Sequence, residues 1–560
     1  MFKNLTKILL TLSIIHLSII HSTAQPLGKK ITYTHADTLR GSIGPGRLKW
    51  NVLHYEITVK PDYTNKTIEG KNTITYFDSG VFVIQVDLQE PMLIDSIVGN
   101  GQQYKFTREG NVYWVEVRDP KTAPLIRIRT GKTAMTVYFH GKPREAVRPP
   151  WDGGWIWKKD KNNNPWMSVA CQGLGASVWY PCKDTQSDEP DNGAIQHIIV
   201  PDSLIAVGNG RLTEQHSMPG GNTMYTWEVK SPINNYCIIP YIGKYVHFSE
   251  IFEGKKGKLD MDYWVLDYNL EKAKKQFTDA PRMMKAFEYW FGPYPFYEDG
   301  YKLVESPHLG MEHQSATAYG NGFQNGYHGM DLSGSGWAMK WDFIIVHESG
   351  HEWFANNITT NDLADMWVHE SFTNYSETLF TDYYYGTQAG NEYVIGTRNN
   401  ISNDIPIIAA YGVNQEGSGD MYYKGGNMIH IIRQLLKSDK KFRNILTGLN
   451  KTFYHQTVTT AQVENYISEK SGLDLSKIFD QYLRTTKVPV LEYKIENKVV
   501  SYRWKNTVDG FNMPIKVSFG KKEKWLKATT EWQSVKPGNS YDGTTFIPDN
   551  NFYITVENTK

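Results

Sequence analysis

The sequence has little cysteine: three residues among 560, namely Cys171, Cys182 and Cys237. At most one disulfide can form, which excludes a disulfide framework. No pair has C-x-x-C spacing, which argues against a zinc site ligated by cysteines. A charge excess is missing too, since 60 Lys and Arg balance 59 Asp and Glu. This balance gives no global electrostatic reason to expect a nucleic acid or an anionic membrane as partner.

Long apolar runs are also missing beyond the N-terminus. Residues 8–20 are mostly apolar, follow Lys3 and Lys7, and precede the small residues Ser22-Thr23-Ala24. This pattern predicts a secretory signal peptide over residues 1–24. The run is shorter than the roughly 20 residues that a membrane-spanning helix needs. We therefore expect an exported protein, periplasmic or extracellular, without stable membrane insertion.

The hydrophobic periodicity divides the rest of the chain into three parts. Leu53, Tyr55, Ile57 and Val59 alternate with polar residues, which predicts a half-buried strand, and similar runs continue to about residue 246. Helical patterns follow, including residues 342–356, 366–385 and 426–437, and alternation returns after Lys487. We predict a multidomain α+β fold: an N-terminal antiparallel β-rich domain over 25–247, a mainly helical domain over 248–486 and a small β domain over 487–560.

A candidate metal site lies in the first of these helical segments. His347-Glu348-x-x-His351 places two imidazoles one helical turn apart, where they can hold one Zn²⁺, and Glu348 can act as general base. Catalytic zinc needs a third protein ligand, and Glu370 is a candidate at the start of the next helix. His369 is the alternative third ligand, although adjacent helical residues point about 100° apart.

Glu377 is a candidate partner for this site. It lies seven residues after Glu370, on the same helical face, and could accept a hydrogen bond from a ligand imidazole. The alternative interpretation is a solvated surface glutamate.

Several motifs together resemble one enzyme family. H-E-x-x-H, followed after eighteen residues by the glutamate of W-x-x-E, is similar to the zinc aminopeptidases of the aminopeptidase N and leukotriene hydrolase family. Gly310-Met311-Glu312-His313 resembles the family's G-x-M-E-N motif, and Tyr422-Tyr423-Lys424-Gly425 resembles its Y-x-K-G motif. Cys171-Gln172 looks like a further family segment. The chain departs from the pattern at His313, where the family has Asn, and at Leu309, where it has Gly.

The resemblance implies roles for residues whose types alone would not single them out. Glu312 and Gln172 would bind the free α-amine of the substrate. Gly310 and Met311 would contact the substrate, and Tyr422 would stabilise the oxyanion.

The same resemblance implies a fold and a function. We expect a thermolysin-like catalytic domain over 248–486 and a small β-sandwich over 487–560, without a large helical C-terminal domain. We also expect one Zn²⁺ per chain, activating water to hydrolyse peptides that have a free N-terminus. The alternatives are a lipid epoxide hydrolase of the leukotriene-hydrolase type and a catalytically inactive zinc-binding or adhesion module. The presence of Glu348 disfavours the inactive module.

Overall fold

A computed structural model of the protein describes residues 32–118, 130–538, 541 and 543–559. The predicted signal peptide over residues 1–24 lies outside these ranges. Within them, no helix combines the length and the apolar character needed to cross a bilayer. Cys171, Cys182 and Cys237 are all buried free thiols.

The part of the chain before residue 244 is built mainly from strands. Its elements are α1 (His35–Gly41), α2 (Pro45–Leu48), β1 (Trp50–Asp62), β2 (Thr67–Asp78), β3 (Val83–Asp87), β4 (Leu93–Gly99), β5 (Gln102–Gln103), β6 (Lys105–Glu109), β7 (Val112–Glu116), β8 (Gly131–Gly141), β9 (Gly154–Lys159), β10 (Pro165–Ala170), β11 (Ala194–Pro201), β12 (Ile205–Val207), β13 (Arg211–Met218), β14 (Asn222–Val229) and β15 (Tyr241–Gly243). They form an eight-stranded sheet in the order β13-β14-β11-β1-β2-β8-β4-β5, a four-stranded sheet β12-β15-β10-β9 and a three-stranded sheet β3-β7-β6.

The largest sheet is mixed, so the antiparallel arrangement predicted for this β-rich part is wrong at one strand pair, β1 with β11. β1 and β11 run parallel, with Tyr55 opposite Ala194, whereas β1 and β2 are antiparallel. Parallel neighbours need a crossover connection, and here residues 63–193 supply it. Local alternation is the same in both kinds of pairing, so it could not reveal this contact.

The central part combines a smaller sheet with most of the helices. Its elements are β16 (Tyr245–Gly254), β17 (Gly257–Leu266), α3 (Leu270–Gln276), α4 (Asp279–Phe291), β18 (Tyr301–Glu305), β19 (Gly310–Met311), β20 (Thr317–Tyr319), α5 (Phe343–Gly350), β21 (Ile358–Thr360), α6 (Trp367–Tyr385), α7 (Thr387–Gly396), α8 (Tyr423–Leu436), α9 (Asp439–Thr452), β22 (Gln456–Val458), α10 (Thr460–Ser471) and α11 (Ser476–Arg484). The five-stranded sheet has the order β16-β17-β18-β20-β19, which leaves β19 at its edge. β16 begins at Tyr245, three residues before the predicted boundary at 248.

Helix α5 is short because both of its ends are fixed locally. At its start, the Asp342 side chain accepts hydrogen bonds from the backbone N–H groups of Ile344 and Ile345 at 3.1 and 3.3 Å. After Gly350 the helical pattern gives way to a π-helical segment over Glu352–Asn356, in which Ala355 has φ 148°. The helix predicted over 342–356 therefore ends early, although both imidazoles of H-E-x-x-H keep their one-turn spacing.

Residues after 487 form two small sheets. Their strands are β23 (Val490–Glu496), β24 (Val499–Lys505), β25 (Ile515–Phe519), β26 (Lys522–Leu526), β27 (Gln533–Val535), β28 (Phe546–Pro548) and β29 (Thr555–Asn558), ordered β27-β24-β23-β29 and β26-β25-β28. The rings of Tyr493 and Phe546 lie 4.5 Å apart and join the two sheets. Their apolar side chains belong to the same buried cluster as those of the helical part.

Candidate active site

Helices α5 and α6 bring His347, His351 and Glu370 together. Oε2 of Glu370 lies 3.8 Å from Nε2 of His347 and 3.4 Å from Nε2 of His351. All three side chains are buried, and one potential ligand atom from each lies within 4.8 Å of the others. Among the described residues, no hydrogen-bond donor satisfies Oε2 of Glu370. A buried, unsatisfied carboxylate oxygen facing two imidazoles fits a zinc ion with His₂Glu ligation.

The other ring nitrogens of both histidines are already engaged. Nδ1 of His347 lies 2.6 Å from Oε1 of Glu377, and Nδ1 of His351 lies 3.0 Å from the carbonyl oxygen of Phe354. These acceptors place the proton on Nδ1 and leave Nε2 of each ring free as a ligand. Glu377 is fully buried and also accepts a hydrogen bond from Tyr393, so it is not a solvated surface residue.

His369, the alternative third ligand, is used elsewhere. Its Nε2 accepts a hydrogen bond from the backbone N–H of Thr360 at 2.9 Å. That bond occupies the lone pair that a metal would need, and His369 belongs to neither group of potential ligands found in the described residues. Glu370 is therefore the third ligand that the geometry favours.

Glu348 lies between the imidazoles and strand β19. Its carboxylate packs against Gly310, where an added Cβ would lie 2.6 Å from Oε1 of Glu348. Burial, together with the negative charges of Glu312 and Glu370, raises the pKa of Glu348 well above its usual range. A raised pKa makes the Glu348 carboxylate a stronger base. It can therefore accept a proton from water and keep it until the proton is transferred.

A second polar group surrounds the Glu312 carboxylate. Oε1 of Glu312 accepts a hydrogen bond from the Tyr236 hydroxyl at 2.8 Å and another from Nε2 of Gln172. One potential ligand atom each from Glu312, Glu348 and His351 lies within 4.8 Å of the others. The structure thus brings Gln172 and Glu312, which are 140 positions apart, to the same edge of the metal site. Tyr236 was not predicted, since no local motif marks it.

The two departures from the family motif lie in different surroundings. His313 is buried, and its Nδ1 is 2.5 Å from the Tyr241 hydroxyl. It does not line the cavity described below, whereas Leu309 does. The change at 309 is thus the one that faces the space available to a substrate.

A cavity of about 350 Å³ joins these groups. Its wall includes every predicted ligand, catalytic and substrate-contacting residue, which are Gln172, Gly310, Met311, Glu312, His347, Glu348, His351, Glu370 and Tyr422. The Tyr422 ring lies 6.0 Å from the His347 ring. Burial, with Glu370 and Glu416 adding to it, raises the pKa of Tyr422 well above its usual range, so the phenol keeps its proton at neutral pH.

Comparisons with known proteins point to one family. The model of the peptidase family M1 domain matches residues 279–482. Leukotriene A-4 hydrolase from Xenopus laevis is 21% identical over 442 residues, which cover 75% of this chain and 68% of that protein. A probable aminopeptidase 1 from Sulfurisphaera tokodaii is 20% identical over 81% of this chain and 55% of its own length. Aminopeptidase N from Lactococcus lactis is 26% identical over 36% of this chain and 26% of its own length.

Solved structures share the fold. An M1 zinc metallopeptidase from Deinococcus radiodurans, in a variant bound to a Tyr-Ser-Ala substrate, has a TM-score of 0.66 at 19% identity, covering 79% of this chain and 96% of that one. A two-domain M1 zinc metallopeptidase bound to L-tryptophan gives the same TM-score, identity and coverage. Residues 279–482 thus form a peptidase family M1 domain, a peptide hydrolase domain with one catalytic zinc, in a chain that has the fold of M1 zinc metallopeptidases.

Proposed function

We propose that this protein is a zinc-dependent aminopeptidase that removes the N-terminal residue from peptides. The observation that carries the proposal is the position of Glu312, whose carboxylate lies beside His351 and Glu348 at the edge of the metal site. A carboxylate here binds the ammonium group of a free N-terminus by charge-assisted hydrogen bonds. The first peptide bond then lies closest to the zinc ligands.

The chemistry divides among the residues on the cavity wall. His347, His351 and Glu370 would hold a zinc ion, which would supply the Lewis acidity that polarises the scissile carbonyl and lowers the pKa of water. Glu348 takes a proton from the attacking water and passes it to the leaving nitrogen. Tyr422 donates a hydrogen bond from its neutral phenol to the developing oxyanion, a contact whose loss typically costs about 10²–10³ in rate.

Strand β19 provides a surface for the peptide backbone. It is the edge strand of its sheet, paired with β20 through Gly310 opposite Tyr319 and Met311 opposite Ala318. An extended substrate can add to such an edge by main-chain hydrogen bonds. Gly310 also lets the strand approach Glu348 closely, which brings the substrate backbone towards the general base.

The relatives support peptides as substrates. Two of the three are named as aminopeptidases, and a structural relative was solved with the peptide Tyr-Ser-Ala. The zinc ligands do not by themselves select which peptide bond is cut, so the Gln172 and Glu312 pair is what favours N-terminal cleavage.

Export is part of the proposal and rests on the sequence of residues 1–24. We infer that this segment is removed and that the protein acts in the periplasm or outside the cell. N-terminal sequencing of the protein recovered after expression of the full chain tests this. A mature chain that begins at Gln25 supports export, and recovery of an intact Met1 in the cytoplasm contradicts it.

The activity is tested with matched substrates. The zinc-loaded protein should release the chromophore from leucine p-nitroanilide and not from its N-acetylated form, because acetylation removes the ammonium that Glu312 binds. A chelator should abolish release and added zinc should restore it. Equal cleavage of both substrates would refute the role of Glu312, and no cleavage by zinc-loaded protein would refute the proposed activity.

A further inference from the structure

The wall of the cavity carries an unusual charge pattern. Six carboxylates line it and, in the part of the chain that the structure describes, no lysine or arginine does. Three of the carboxylates belong to the catalytic site described above, and the other three are Asp404, Glu416 and Asp420. A zinc ion bound here would offset the charge of Glu370, but no lysine or arginine of the described wall offsets the charges of Asp404, Glu416 and Asp420.

Two of the further carboxylates have partners of their own. Asp404 accepts a hydrogen bond from the Ser418 hydroxyl at 2.5 Å. Asp420 accepts hydrogen bonds from the backbone N–H groups of Ser402 and Asn403 at 2.8 and 2.6 Å. Both side chains hold the loop before α8 in place, which is a structural role.

Glu416 differs from these two. It is partly buried in the cavity wall, and no hydrogen-bond donor or cation of the described chain contacts its carboxylate. Burial, followed by the negative charges of Glu370 and Glu312, raises the pKa of Glu416 to about 8. Because the Glu416 carboxylate has no partner of its own, a cation that enters the cavity would stabilise its charged form.

The loop that carries Glu416 is fixed at the amine-binding end of the cavity. Nδ2 of Asn414 donates a hydrogen bond to the carbonyl oxygen of Gly173, the residue after Gln172, at 2.8 Å. On the other side of Glu416, an added Cβ at Gly417 would lie 1.8 Å from the carbonyl oxygen of Ile407. This close packing and the Asn414 contact hold Glu416 next to the pair that binds the substrate ammonium.

Another part of the wall is apolar and lies beside His347. Phe343 stacks on the ring of His347 with centroids 5.3 Å apart, and Ile344, Tyr327, Met330 and Leu332 continue that surface. His347 is one helical turn away from His351, the ligand beside Glu312. Glu416 shares the cavity wall with Glu312 and Gln172, and its carboxylate is close enough to Glu312 and Glu370 to feel their charges.

We propose that Glu416 determines specificity by binding the cationic side chain of an N-terminal lysine or arginine, so that peptides beginning with a basic residue are the preferred substrates. The inference rests on the proposed aminopeptidase function. A guanidinium can meet a carboxylate through two parallel hydrogen bonds, so arginine gains most from this contact. Neutral first residues leave Glu416 without a partner, and acidic ones are repelled.

Hydrolysis of arginine, lysine, leucine and glutamate p-nitroanilides by the zinc-loaded protein tests the inference. We expect kcat/KM to be at least about tenfold higher for arginine than for leucine, the size of one charge-assisted hydrogen bond. Glu416→Gln should lower this ratio by about tenfold, and Glu416→Asp should restore part of it. Glu271→Gln, which removes an exposed carboxylate on α3, is the matched control and should leave the ratio as it is.

A binding measurement gives a second readout that does not depend on turnover. Calorimetry with L-argininamide and L-leucinamide on a Glu348→Gln background should show tighter binding of the arginine compound, and the difference should disappear when Glu416→Gln is added. An arginine-to-leucine ratio that Glu416→Gln leaves within twofold overturns the inference, as does an equal loss of affinity for both amides, which would place Glu416 at the α-ammonium. Hydrolysis of leucine anilide without preference for arginine refutes this inference alone, whereas no hydrolysis of any free aminoacyl anilide refutes the proposed function.

Discussion

Nδ1 of His347 lies 2.6 Å from Oε1 of Glu377, and both side chains are buried. The hydrogen bond between them fixes the tautomer and the direction of the His347 ring, so Nε2 points towards Glu370. Glu377 itself is held by the Tyr393 hydroxyl at 2.6 Å. Residues that do not touch the metal thus position one that does.

We predict that Glu377→Gln weakens zinc binding by about 10- to 100-fold, the usual effect of losing such a partner. The amide can no longer offer His347 a charged acceptor. Competition with a chromophoric chelator measures the change in Kd directly. Tyr393→Phe, which removes only the support of Glu377, should have a smaller effect in the same direction. Unchanged zinc affinity in Glu377→Gln would show that His347 needs no such partner.

A second prediction concerns the contact between strand β19 and the general base. Gly310→Ala places a Cβ where only 2.6 Å separates it from Oε1 of Glu348, so the carboxylate must move. We expect kcat to fall by about 10², because a displacement of about 1 Å can cost that much, while the zinc content stays the same. Gly44→Ala is the control, since no atom lies within 4 Å of its added Cβ. Normal turnover by Gly310→Ala would contradict the arrangement.

The charge of Glu312 should decide whether the enzyme recognises a free amine. Glu312→Gln keeps the side chain's size but removes the negative charge that pairs with ammonium. We expect kcat/KM for leucine p-nitroanilide to fall by at least about tenfold, with most of the loss in KM. Tyr236→Phe removes one hydrogen bond to the same carboxylate and should have a weaker effect. Steady-state kinetics of both variants separates KM from kcat, and a Glu312→Gln variant with wild-type KM would be incompatible with ammonium binding.

Removing the metal should destabilise the protein. Without zinc, Oε2 of Glu370 remains buried with no donor among the described residues, and the free energy of metal binding no longer favours the folded state. Zinc at 100 times its Kd should contribute about 2.7 kcal/mol to the free energy of unfolding. Thermal melts at increasing zinc concentration test this, with Glu348→Gln as a control that should keep the full shift in Tm. If added zinc leaves the Tm of the metal-free protein unchanged, zinc binding by His347, His351 and Glu370 is contradicted.

The part of the site that could be predicted from the sequence is the part encoded over short distances. His347 lies in α5 and His351 directly follows its last residue, so their spacing of four positions alone indicated a shared face, with Glu348 beside the first of them. The alternation of apolar and polar residues likewise predicted β1 and β2, because successive side chains of a strand point to opposite faces of the sheet.

Contacts between distant segments could not be predicted in this way. Tyr236 reaches Glu312 across 76 positions and Tyr393 reaches Glu377 from the next helix, and neither tyrosine lies in a pattern that differs from ordinary packing. The parallel pairing of β1 with β11 depends on how the intervening chain folds. Glu416 could have been suspected from its place six residues before Tyr422, but its lack of a partner is a property of the folded cavity.

The most direct test of the central claim is the digestion of an unmodified peptide of eight neutral and basic residues, followed over time by mass spectrometry. We expect a ladder of products, each shorter by one residue at the N-terminus, and protection of the same peptide when its N-terminus is acetylated. Internal fragments, or equal degradation of the acetylated peptide, would contradict the claim that Glu312 confines cleavage to the first bond.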